Sequence, residues 1–141
     1  MSPEDNKALV QRFIDEVMNS GRFALIGELC VAGSPFAGGI EGQIRAMRTT
    51  FPDLRMSIDE IFAEGNKVAA CVTVRGTNTG PLVGLPAFGR LATPIPPTGK
   101  SVTASGMYVF TASEGRISSL ASEIDQIGLL QQLGWTFSPP E

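Results

Sequence analysis

Apolar residues recur at helical spacing over the first fifty positions and at alternate positions after that, so the chain divides where the period changes. Ser2-Pro3-Glu4-Asp5 joins a capping Ser to Pro at the first helical position and an acidic first turn. Ala8, Leu9, Phe13, Ile14, Val17 and Met18 then form one stripe, and Gly21 ends the predicted helix. A shorter helix is expected from about Phe23 to Cys30. Residues 31–39, VAGSPFAGG, read as loop, and 40–51 form a third helix with Ile44, Met47 and Phe51 inward. From Leu54 the alternation of Leu54, Met56 and Ile58 predicts a strand. A turn at Glu64-Gly65-Asn66 leads to a second strand, with Val68, Ala70, Val72 and Val74 on one face and Cys71, Thr73 and Arg75 on the other.

Residues 79–100 hold five prolines and several glycines, which argues against regular structure. The segment is nevertheless too apolar for a solvated linker. Leu82, Val83, Leu85, Phe88, Leu91 and Ile95 suit a loop over a pocket mouth. Residues 102–110 are rich in β-branched and aromatic side chains, Ser113-Glu114-Gly115 supplies a turn, and 116–124 return antiparallel. Asp125 can cap a helix carrying Ile127, Leu129, Leu130 and Leu133, closed by Gly134. The prediction is one α+β domain over 1–141. A curved, mostly antiparallel sheet, with strands near 54–63, 67–79, 101–112 and 116–124, wraps around the N-terminal helices.

Composition narrows the chemistry. At 141 residues, 43% hydrophobic and 18% charged, the chain can bury a core, and a net charge of −3 gives no field for nucleic acid or anionic lipid. No signal peptide is evident and no apolar run approaches a membrane span, so a cytoplasmic protein is expected, with Cys30 and Cys71 as buried, reduced thiols. The absence of histidine removes Ser-His and Cys-His pairs and the commonest metal ligand. Chemistry must then rest on carboxylates, hydroxyls, amides or the shape of a pocket.

Several phrases resemble the SnoaL-like polyketide cyclase family, within the nuclear-transport-factor-like cone fold. They are Asn6-Lys7-Ala8-Leu9-Val10-Gln11-Arg12-Phe13, Phe51-Pro52-Asp53-Leu54-Arg55, Gly76-Thr77-Asn78-Thr79-Gly80, Pro97-Thr98-Gly99-Lys100 and the run from Asp125-Gln126-Ile127 to Leu133-Gly134. The resemblance implies a cofactor-free, homodimeric protein, joined through the sheet's outer face, with an internal apolar pocket for a small polyketide-like substrate. Family members often carry His where Asn78 and Tyr108 stand, an acid or His within 33–39, and an acid-any-Trp-Asp pattern at Ser119, Leu120, Ala121 and Ser122. An Asp near Ser122 is the usual proton shuttle there. This chain lacks that acid–base pair and carries extra residues at 87–96, so fold transfers more readily than mechanism.

The catalytic candidates are accordingly Asp125, Glu123 and Tyr108. Asp125 matches the family's acid at the strand–helix junction and serves equally as a helix cap. Glu123 shares a strand face with Ser119, Ala121 and Asp125, and burial there would raise its pKa. Tyr108 could donate to a substrate carbonyl. Substrate contacts are expected from Phe13, Met47, Phe51, Phe88, Leu91, Met107, Ala121 and Ser122, with Arg75 and Asn78 near a strand end able to bind a carboxylate or carbonyl. Three functions remain open. One is a cyclase working mainly by orientation, with pericyclic closure the best fit. The others are a hydrolase or isomerase using a pocket carboxylate, and a non-catalytic binder of a small apolar ligand.

Overall fold

In the computed structural model, which describes residues 1–85 and 89–141, helices come first and a meander of strands follows. Helix α1 (Pro3–Arg12) starts at Ser2, whose hydroxyl accepts from Asp5 N–H while the Asp5 carboxylate accepts from the Ser2 backbone. It runs on into a π-helical stretch, Phe13–Asn19, and Gly21 ends it at φ +68°. The expected second helix is a 3₁₀ turn, Phe23–Leu25, followed by α2 (Ile26–Leu29).

Helix α3 spans Pro35–Thr50, so the expectation of loop over 31–39 is corrected. Ser34 caps it by accepting from Ala37 N–H, and Pro35 sits at the first helical position, the same device as Ser2-Pro3. Gly38 and Gly39 weaken helix propensity there without stopping the helix, because Ser34 and Pro35 pay for initiation.

Strands β1 (Arg55–Glu64), β2 (Lys67–Thr77), β5 (Ser101–Ser113) and β6 (Arg116–Ile124) form an antiparallel sheet in the order β1-β2-β5-β6. Register shifts at Ile58/Glu60 and Thr111/Ala112 mark bulges, which bend the outer strands around the helices. Val68, Ala70, Val72 and Val74 are buried against Val10, Phe13, Ile14 and Val17. Phe13 packs edge-on against Phe110 at 6.1 Å. The sheet's opposite face leaves Phe62 57% and Met107 52% exposed.

Residues 79–100 depart from the irregular loop expected. Leu82–Leu85 (β3) and Gly89–Ile95 (β4) pair as a separate two-stranded ribbon. Each strand of a ribbon has a free edge, so Pro94 can sit in β4 without forfeiting a ladder bond. Pro81 precedes β3, and Pro96 and Pro97 follow β4. Helix α4 (Gln126–Gln132) closes the fold, with Gly134 beyond it at φ +101°. Cys30 is buried, where loss of hydration lifts its thiol to about 11; Cys71 is only half-buried on the outer face, which corrects that part of the expectation.

Candidate functional site

The seam between α3 and β6 opens into two spaces. The first is a groove of about 370 Å³, walled by Pro35, Phe36, Gly39, Ile40 and Gln43 on α3 and by Ser118, Ser119, Leu120 and Ser122 on β6. The second lies further along both elements. Met47, Thr50, Phe51 and Leu54 face Leu82, Gly84 and Leu85 of β3, with Val74, Val102 and Ile124 from the sheet and Gln126 and Leu129 from α4. This inner cavity measures about 40 Å³, room for a few waters at most. A larger ligand enters it only when its walls move apart. Met47 is suited to that, because an unbranched thioether repacks readily.

The sheet register decides which candidates face this cleft. Tyr108 pairs with Ser122 and Phe110 with Leu120, and Tyr108 and Phe110 are buried, so Leu120, Ser122 and Ile124 look inward. Glu123 pairs with Met107 and Ala121 with Val109 on the opposite face. The expectation that Glu123, Ala121 and Met107 face the pocket is therefore corrected. Arg75 shares that outer face, across from Arg55 and Thr103. Asp125 is exposed, and its carboxylate accepts Gly128 N–H at 2.9 Å as the α4 cap. Asn78 is 1% exposed and structural. Its amide donates to Gly80 O at 2.8 Å, and its carbonyl accepts from Thr98 N–H at 2.9 Å and Thr98 O–H at 2.8 Å. Phe13 is core, one layer behind the groove through its contact with Phe36 at 5.7 Å. Leu91 is half-buried on β4 and lines neither space. Phe88 lies outside the described residues. Among the described candidates, Met47 and Phe51 line the inner cavity and Ser122 lines the groove.

Tyr108 is 3% exposed, its ring set edge-on to Phe110 at 6.1 Å, and burial pushes its phenol up from 10.0 to about 12. It faces the interior beside Ser122 but is not part of the groove wall. As the chain's only tyrosine it gives a clean optical titration. The neutral form is favoured in the fold, so its stabilising contribution is intact below pH 10 and is lost as pH rises through about 12. We expect the tyrosinate absorbance of native protein to rise near pH 12, or abruptly with alkaline unfolding. In denaturant it rises near 10, and a native midpoint at 10 would contradict the burial.

The model of SnoaL-like polyketide cyclases matches residues 8–133. The chain belongs to that family. Among curated proteins none matches this sequence. TsrD from Streptomyces laurentii is similar in structure at 22% identity and TM-score 0.77, over 95% of this chain and 98% of that one. IdmH from Streptomyces antibioticus, a candidate polyketide cyclase, is similar at 21% and 0.73, over 92% and 99%. AclR from Streptomyces galilaeus, a candidate hydroxylase, is similar at 20% and 0.76, over 99% and 87%. At these identities the likeness establishes the fold, and the fold alone does not choose a reaction. No helix among the described residues is long and apolar enough to cross a membrane.

Gln43 and Gln126 escaped the sequence reading. The signal for Gln43 was present: Phe36, Ile40, Gln43, Met47 and Thr50 recur at helical spacing along one side of α3, and a lone amide in such a stripe marks a polar spot on a cavity wall.

Proposed function

We propose that this chain is a cyclase for a flexible, polyketide-like substrate, promoting intramolecular ring closure chiefly by orientation and without a cofactor. Family membership supports a cyclase role in general terms. One observation carries the finer reading: among the described residues lining the cleft none is an acid or a base. Where the family resemblance places a proton-shuttling Asp, Ser122 faces the groove. Holding reacting ends together can lower a barrier by about 7 kcal/mol at best. Closures that need little proton transfer, pericyclic ones included, suit that limit. The reading includes a homodimer joined through the outer face, where Phe62 and Met107 stand exposed; light scattering at micromolar concentration should give twice the chain mass, and a monomer would remove that part.

The test compares single-turnover rates on a linear substrate analogue. Asp125→Asn keeps a good helix cap, so it separates chemistry from folding. Neither this change nor Glu123→Gln should lower kcat by more than about fivefold, whereas loss of a general acid or base costs about a hundredfold or more. A bell-shaped pH–rate profile that disappears in Asp125→Asn would replace this reading by carboxylate-driven hydrolysis or isomerisation.

A further inference from the structure

Where α1 begins, between the β1–β2 and β5–β6 turns, lies a third opening of about 360 Å³. Met1, Pro3 and Asn6 wall it together with Gly65 and Asn66 of one turn and Ala112 and Glu114 at the other. The two turns are tied to each other, because Ala112 N–H donates to Asn66 O at 2.8 Å. The opening shares no wall residue with the groove or the inner cavity.

Asn6 is the residue there that calls for a partner. It is 3% exposed, and its Nδ2 donates to Gly65 O at 3.4 Å. A backbone carbonyl only accepts, so this contact fixes which end of the amide is which. Asn6 Oδ1 is then shielded from water with no donor among the described residues. A buried acceptor without a donor is costly and uncommon. Glu114 adds charge at the rim, and its carboxylate has no ion pair or hydrogen bond among the described residues. It is also the one described non-glycine residue at positive φ, +50°, a conformation that Asn or Gly adopts more cheaply. Lys7 is held by Glu4 at 3.1 Å and Lys67 by the Thr111 hydroxyl at 2.7 Å, so neither lysine fills the place.

We propose that this opening binds a primary ammonium carried on a short apolar stem. An ammonium has three donors. Asn6 Oδ1, the Glu114 carboxylate and the second lone pair of Gly65 O are three acceptors for them. The stem lies against Met1, Pro3 and Ala112. Met1 is 74% exposed, and its unbranched thioether shifts aside to let the ammonium reach Oδ1. A carboxylate or phosphate would meet acceptors and a like charge in the same place.

NMR titration of the full chain with propylammonium, tetramethylammonium and 1-propanol tests the site. Propylammonium should shift the backbone amides of Gly65, Asn66 and Gly115 and the Asn6 side-chain amide, saturating with a Kd of about 1–10 mM. Tetramethylammonium, which has the charge but no N–H, and 1-propanol, which has a donor but no charge, should each bind about tenfold more weakly or less. Glu114→Asn removes the charge and suits the positive φ, so it should fold at least as well while losing about tenfold in propylammonium affinity. Asn6→Leu fills a similar volume without the acceptor and should lose the saturable shifts; should it fail to fold, Glu114→Asn decides alone. Wild-type shifts that do not saturate with propylammonium overturn the inference. So does tetramethylammonium binding as tightly as propylammonium, or an affinity unchanged in Glu114→Asn. None of these results depends on ring closure, because the opening lies apart from the cleft.

Discussion

Gly80→Ala should destabilise the fold by about 3 kcal/mol or more, read as a fall of about 10 °C or more in Tm. A Cβ at Gly80 would lie 1.7 Å from Thr49 O and 2.9 Å from Thr49 C. Both are backbone atoms, so no side-chain rotation relieves the overlap. The backbone has no slack either. Gly80 N–H donates to Thr50 O at 3.2 Å, its carbonyl accepts from Asn78, and the Thr50 hydroxyl donates to Pro81 O at 3.0 Å. To admit one methyl group, the end of α3 must lift off the chain leaving β2, breaking bonds of the buried Asn78. Gly42→Ala is the internal control. Gly42 lies in α3 itself, and beyond the helix's own backbone nothing would stand within 4 Å of its Cβ, so the change should gain about 0.5–1 kcal/mol from helix propensity. Equal, small effects of the two changes would show that α3 is not seated on Gly80 as described.

That junction explains why the phrases carrying the family resemblance were better guides to fold than to site. Gly76-Thr77-Asn78-Thr79-Gly80 and Pro97-Thr98-Gly99-Lys100 lie on either side of one crossing. Asn78 binds Thr98, and Asn78 N–H donates to Lys100 O at 2.8 Å. Gly76 leaves room for Phe51, whose Cβ would stand 2.8 Å from an added methyl. These residues fix where α3 ends and β3 begins, and hence where Met47 and Leu82 meet in the inner cavity. They position the walls of that cavity.

Much of the fold was legible because burial imposes period. Val68 to Val74 alternate on β2, the Ser-Pro pair starts α1, and Asp125 caps α4, all through local rules that tertiary context did not override. The errors share a cause. Gly38, Gly39 and the prolines of 79–100 read as breakers, yet a strong cap at Ser34 and a ribbon with free edges tolerate them. Missing the first turns of α3 hid the stripe from Phe36 to Thr50, and with it Gln43. On β6 the alternation of Leu120, Ser122 and Ile124 already marked the inward face. The odd-numbered positions were favoured instead because carboxylates stood there, and chemistry cannot set strand parity.

Parity makes the sharpest test of the site. Ser122→Trp should abolish ring closure, by more than about a thousandfold, because an indole added on the inward face would project into the 370 Å³ groove where the reacting ends must be aligned. Ala121→Trp, one residue away, projects from the outer face beside Val109 and should leave the rate within about threefold. Ser122 is exposed in the groove, so its replacement adds bulk where there is space and should cost little stability. Thermal melts of both variants confirm that folding is matched, and binding of the linear substrate analogue shows whether the groove is still open. If orientation in this cleft is the source of catalysis, Ser122→Trp loses binding and turnover together while Ala121→Trp keeps both. Loss of turnover in Ala121→Trp with an open groove would put the reacting site on the sheet's outer face, and the α3–β6 cleft would no longer be the place where the ring is made.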